Sequence, residues 1–161
     1  MAITTTYLEM HTHSRRDVPA PRDGLAIVHA RRPTIKYYRF LYDAVGSDWD
    51  WTSRKKLSDE ELARIIHDPL DEIHVLTVDG VPAGFAELDR RVAGEIELKQ
   101  FGLVPEFLGQ GLGKYFLKWT IDKAFSYAPT RFWLHTCTAD HPAALPNYLA
   151  AGFVVYNTEV R

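Results

Sequence analysis

The stretch Leu103-Val104-Pro105-Glu106-Phe107-Leu108-Gly109-Gln110-Gly111-Leu112-Gly113-Lys114 constrains this chain most, because it joins the end of an apolar strand to a helix that opens on three glycines. A helix start carries unpaired backbone N–H groups and a partial positive charge, and glycines at 109, 111 and 113 leave no side chains to hold a diphosphate at a distance. Each glycine inside a helix costs about 0.5–1 kcal/mol relative to alanine, so three of them spaced by two ask for a reason. A phosphate-binding loop of the form Gly-x-x-x-x-Gly-Lys-Ser/Thr fits at Gly113-Lys114 but fails at Leu108 and at Tyr115. A dinucleotide fingerprint, Gly-x-Gly-x-x-Gly, fails because the third glycine arrives one residue early and no acidic residue lies about 20 residues on at a strand end. The plain alternative is a glycine-rich turn with no ligand.

At 161 residues the chain reads as one domain, residues 1–161, long enough to bury a real core, and its hydrophobic content of 46% argues against disorder. A formal charge of −2 shows no bias toward nucleic acid or anionic membranes. A single cysteine, Cys137, excludes an internal disulfide and fits a reducing compartment. No apolar stretch approaches the ~18 residues of a membrane helix, and the first 25 residues hold no signal-like apolar region. These observations lead us to expect a cytoplasmic protein without nucleic-acid or membrane partners.

Along the chain, Ile3–Met10 and Leu25–Ala30 read as strands separated by a proline-containing loop. His11 and His13 fall on one side of an extended segment, but with no third ligand nearby they read as solvated histidines, and no metal is expected. Pro33 is placed to open a helix that runs to Gly46. The next connection carries Trp49 and Trp51 between carboxylates, a set that suits either a pocket for a cationic amine or a plug for the core beneath. Ser58 caps a second helix ending near His67. The pattern then switches to period two: Ile73–Val78, a turn at Asp79-Gly80, Val81–Leu88, and Glu95–Val104. A helix from about Gly111 to Tyr127 and a strand at Arg131–Cys137 make a right-handed β-α-β crossover. Pro146 delays or kinks the helix that follows, and Phe153–Tyr156 reads as a closing strand.

Two segments resemble the signatures of the GNAT superfamily of N-acetyltransferases. The first is Leu108-Gly109-Gln110-Gly111-Leu112-Gly113 after Leu103-Val104-Pro105, similar to Arg/Gln-x-x-Gly-x-Gly/Ala after Val-x-Pro, with Leu108 as a departure. The second places His141, Ala144, Tyr148, Gly152 and Phe153 in register with Asn-x-x-Ala-x-x-x-Tyr-x-x-x-Gly-Phe, with His141 in the Asn place. The resemblance is strongest over 73–156. It implies an α/β domain with a mixed, mostly antiparallel sheet flanked by helices, acting as an acyl-CoA-dependent N-acyltransferase that uses acetyl-CoA as co-substrate and moves acetyl to a small-molecule or peptide amine by direct attack in a ternary complex.

What the resemblance implies for residues follows that order. Main-chain groups of Phe101, Gly102 and Leu103 would pair with the pantetheine arm, the amides of Gly109, Gln110, Gly111, Leu112, Gly113 and Lys114 would hold the pyrophosphate, and His141 joins them from the second signature. An alkylammonium near pKa 10.4 is neutral only about once in 10³ molecules at pH 7, so a base is worth having. Glu97 is the candidate, with Glu95 in reserve, and strict alternation would put Glu97 on one face with Lys99, Phe101 and Leu103. Tyr148 is the candidate acid for the departing thiolate. Paired subunits are common in look-alike proteins, which leaves a homodimer open. The rival from another class is a non-catalytic CoA-binding or sensor module on the same fold.

Overall fold

The computed structural model describes residues 2–161. Its elements run β1 (Thr4–Met10), β2 (Leu25–His29), α1 (Ile35–Gly46), α2 (Asp59–Ile66), β3 (Asp71–Val78), β4 (Val81–Asp89), β5 (Glu95–Leu103), α3 (Leu112–Phe125), β6 (Arg131–Cys137), α4 (Ala144–Ala151) and β7 (Val154–Val160). The strands form one seven-stranded sheet in the order β2-β3-β4-β5-β6-β1-β7. All neighbours are antiparallel except β5 and β6, which the α3 crossover makes parallel. This is the mixed, mostly antiparallel α/β architecture that the sequence implies.

Local chemistry sets the element ends. Thr34, rather than Pro33, caps α1 through its hydroxyl to the Tyr37 amide. Ser58 and Glu61 close a reciprocal capping box at α2. α4 begins late, at Ala144, which puts Pro146 in its first turn, where an absent N–H costs nothing.

Two cores occupy the two faces of the sheet. On one, α3 and α4 bury Phe116, Ile121 and Tyr148 against Leu8, Leu76, Leu88, Leu98, Phe132 and Leu134. On the other, α1 and α2 bury Tyr38, Leu41, Leu62 and Ile66 against Ile73, Val75 and Phe85. That second core stops near β5, and on the same side of β6, β1 and β7 the side chains of Tyr7, Trp133, His135 and Tyr156 form an aromatic surface that no helix covers. Although β1 and β2 are consecutive, they do not pair. β2 forms one edge of the sheet, while β1 is inserted between β6 and the other edge strand, β7, so β7 is held by β1 and not by β6.

Candidate active site

Three segments converge where β5 and β6 part. The two strands pair only from Glu95 to Glu97 opposite Arg131 to Trp133. Past that point β5 stays paired with β4 as far as Leu103, and β6 stays paired with β1 as far as Cys137, so the strands diverge from each other while each remains anchored on its far side. The edge of β5 facing the gap therefore carries main-chain N–H and C=O groups that no neighbouring strand takes.

A β-bulge shapes this edge. Glu87 pairs with Gln100 and Leu88 with Leu98, leaving Lys99 as the extra residue. An inserted residue reverses the alternation, which corrects the expectation that Glu97 shares a face with Phe101 and Leu103. Glu97 and Lys99 lie together on the α1 side, with Lys99 Nζ donating to Glu97 Oε1 at 3.3 Å. Phe101 and Leu103 instead pack into the α3 core, where Phe101 stacks on Phe116 with ring centroids 5.3 Å apart. With those side chains turned inward, the main chain of 101–103 is what faces the gap. Gly102 is required by packing, because a Cβ there would come within 2.5 Å of Val45.

Below the β5 strand end, Gly109 and Gly111 adopt left-handed φ values of +77° and +78°, which a side chain would strain. They turn the chain so that α3 begins at Leu112 with Gly111 as its cap. Leu108 donates its amide to Pro105. Among the described residues, no protein acceptor takes the amides of 109–114. A Cβ on Gly109 would meet nothing, and one on Gly113 would meet only Leu103 and Asn147 at 3.7 and 3.9 Å, so at these two positions crowding by the protein is not what calls for glycine. Lys114, in the first turn, is exposed, as are Leu108 and Gln110.

Glu97 stands in the last pair before the strands part. It is 9% exposed, and its second oxygen lies 4.0 Å from His135 Nε2. Beside it a cleft of about 100 Å³ is lined by Asp89, Val92, Glu95, Glu97 and Trp133. Glu95 is tied to Arg131 at 2.8 Å, so its carboxylate already has a partner. Tyr148, 7% exposed, sits on the other face between Phe101 and Phe153, with ring centroids 6.2 and 6.0 Å away. Burial, with the nearby Asp140 carboxylate, pushes its hydroxyl well above the ordinary tyrosine range.

The roof of the gap comes from two loops. Trp49 meets His141 edge to face with centroids 4.8 Å apart, bringing the connection after α1 against the loop before α4. His141 also accepts the Ala143 amide on Nδ1 at 2.9 Å. Trp51 packs on Tyr42 and Phe85 with its ring edge toward Gly102, so it fills the core beneath β5 while Trp49 is the indole that meets the loop before α4. Beneath the same connection lies a buried polar cluster that the sequence reading missed. Arg54 donates to Glu87 Oε2 at 2.7 Å and to the Tyr38 hydroxyl, and Tyr38 donates to Glu87. Asp71 is buried next to them, and burial together with the Glu87 carboxylate pushes its pKa up to about 10. The available signal was Glu87 itself, the one charge in the run Val81–Leu88. By pulling Arg54 into the interior, the cluster fixes the loop that carries Trp49. The larger cleft, about 220 Å³ between α1 and this loop, is lined by Arg39, Asp43, Arg54 and Lys55, each already in an ion pair.

A family model described as the acetyltransferase (GNAT) family matches residues 36–153. The chain belongs to that family. β1, β2 and β7 lie outside the matched stretch. No match was found among proteins of curated function. Solved structures agree on the fold. A GCN5-related N-acetyltransferase from Sphaerobacter thermophilus superposes with a TM-score of 0.69 at 17% identity over 98% of this chain and 50% of its own. A tandem GNAT protein from the clavulanic acid biosynthesis pathway gives 0.68 at 18% identity over 99% and 51%. The ribosomal-protein-S18-alanine N-acetyltransferase from Escherichia coli gives 0.66 at 21% identity over 83% and 79%. The present chain thus spans about half the length of the first two.

Proposed function

We propose that this family member transfers an acyl group, acetyl in the first instance, from acyl-CoA to a primary amine by direct attack within a ternary complex. The observation that carries the reading is the meeting of unpaired amides at 109–114 with the unpaired edge of β5 in one gap. The former suit a pyrophosphate and the latter an amide-bearing pantetheine arm that pairs like a strand. Lys114 adds positive charge at the same helix start. An arm lying along Phe101–Leu103 would bring the thioester toward the place where the strands part, and Glu97 stands in the last pair before that place.

Glu97 takes the proton of the incoming ammonium, directly or through one water, so that the free amine attacks the thioester carbonyl. The C–N bond forms as the C–S bond breaks, the second nitrogen proton passes to the departing sulfur or to solvent, and coenzyme A leaves as the thiol once its developing thiolate is protonated. Tyr148 supports that departure. With its pKa raised by burial it keeps its proton, so it serves as a hydrogen-bond donor to the developing thiolate more readily than as a complete proton donor. Trp49 and His141 would shape the acceptor entrance, and the aromatic face of Trp49 favours a cationic amine.

A thiol-release screen of primary amines with acetyl-CoA tests the reading. The expected result is turnover with at least one amine class, a fall in kcat of about 10²-fold or more for Glu97→Gln with unchanged CoA affinity, and a smaller fall for Tyr148→Phe. Binding of acetyl-CoA without thiol release from any amine would select the sensor-module reading instead. The reading extends to pairing of two such units across the open face of β6, β1 and β7, since a contiguous aromatic face is more often covered than left in water. Sedimentation at micromolar concentration should then show a dimer that Trp133→Glu dissociates, and a monomer at all concentrations would contradict pairing.

A further inference from the structure

We infer that His29, Glu72 and His74 form a binding site for a divalent transition-metal ion of the zinc type, at the far end of α3 from the glycine cradle. His29 and His74 stand directly opposite one another across the antiparallel pair β2 and β3, with ring centroids 4.5 Å apart. Glu72 lies two residues before His74 on the same strand and so on the same face. One ligand atom from each of the three lies within 4.8 Å of the others. Two ligands at i and i+2 on one strand and a third from the facing strand supply three corners of a tetrahedron, and its fourth corner would fall to water.

The surroundings fit a ligand set held in place from outside. Glu72 Oε2 accepts from the Tyr127 hydroxyl at 2.6 Å and from Arg90 at 3.0 Å, while Oε1 faces the His74 ring, 2.8 Å from Nε2. Partners of this kind fix a ligating carboxylate in one orientation. His74 is buried and braced edge to face by Trp119. His29 is half-buried on the edge strand, which supplies both an entry path and the side-chain freedom to close the last part of the distance. Tetrahedral bonds of about 2.0–2.1 Å require ligand atoms roughly 3.3 Å apart, so His29 has to move inward while Glu72 and His74 stay nearly as they are. Nε2 of His74 now lies 2.8 Å from Glu72, and to bind an ion the ring would turn a nitrogen lone pair to it instead. The positive charges around the site are Arg90, already neutralised on Glu72, Arg31, two residues beyond His29, and Lys123, which lies over the Tyr127 ring. The ion would tie the edge strand β2 to the sheet and, through Tyr127, to the end of α3.

The test is calorimetric titration of the untagged, chelator-treated full chain with Zn²⁺, beside the visible spectrum with Co²⁺. The expected result is one ion per chain with a Kd of micromolar order or tighter, the intense visible bands of tetrahedral Co²⁺, and at least tenfold weaker binding in His29→Ala. That variant removes a half-exposed ring and should keep the wild-type circular dichroism. Glu72→Gln should weaken binding as well. No Zn²⁺ binding by the wild-type chain would overturn the proposal. So would binding that survives His29→Ala and disappears in His11→Ala/His13→Ala, which would place the ion on the N-terminal histidine pair.

Discussion

At the scale of single residues, charge and burial decide what each group can do. Glu97 and Glu87 look alike in sequence, each a glutamate in a strand beside apolar neighbours. The structure separates them: Glu97 stands beside an open cleft, whereas Glu87 is fully buried and saturated by Arg54 and Tyr38. Buried ion pairs of this kind contribute little net stability when intact and cost about 3–5 kcal/mol when one partner is removed, so Arg54 is better understood as an anchor for its loop than as a source of stability. Asp71 gives a pH prediction. Its pKa is raised from 3.8 to about 10, chiefly by burial and then by Glu87, so the folded state holds a proton that the unfolded chain releases near pH 4. Its contribution is fully present below pH 4 and is lost as pH rises toward 10, with a slope of at most about 1.4 kcal/mol per pH unit. Urea midpoints measured across that range should fall with pH in the wild type and fall less steeply in Asp71→Asn, and parallel profiles would refute the assignment. Neither this cluster nor the His29, Glu72 and His74 trio was legible in the chain, because the first draws on α1, the loop after it and two strands, and the second on two strands, and local patterns specify neither that packing nor that register.

At the scale of elements, the cradle and the parting strands make one device. Leu103–Lys114 was readable because a helix start, a strand end and glycine spacing are local properties. The bulge at Lys99 was not: strict alternation put Glu97 beside Phe101, and the inserted residue moved them to opposite faces. Period-two reasoning fails wherever a strand carries one residue too many. Gly113 separates the ligand reading of the cradle from the plain-turn reading. A methyl there meets only ordinary contacts, and alanine is the better helix former by up to about 1 kcal/mol. Gly113→Ala should therefore hold or raise Tm while weakening CoA binding tenfold or more. If Tm rises and CoA affinity does not change, the glycine is not there for a ligand.

At the scale of the whole molecule, the order of elements was legible and the order of strands was not. Helix, helix, three strands, cradle, helix and strand follow from periodicity and caps, and they match the family. The insertion of β1 between β6 and β7 depends on pairing residues more than 120 positions apart, such as Leu8 with Leu134 and Thr6 with Thr158, which no local signal encodes. That insertion extends the sheet beyond α1 and α2 and leaves one half of one face uncovered. Among the described residues no helix is long and apolar enough to cross a membrane. The central claim remains that the amides at 109–114 and the edge of β5 hold coenzyme A together. It is tested most directly by following backbone amide resonances of the ¹⁵N-labelled chain during titration with CoA. The account predicts saturable shifts concentrated at Gly109, Gly111, Gly113, Lys114 and Phe101–Leu103, with Arg54 and the α2 amides unmoved. Saturation without movement at those glycines, or no saturable shift anywhere, would contradict it.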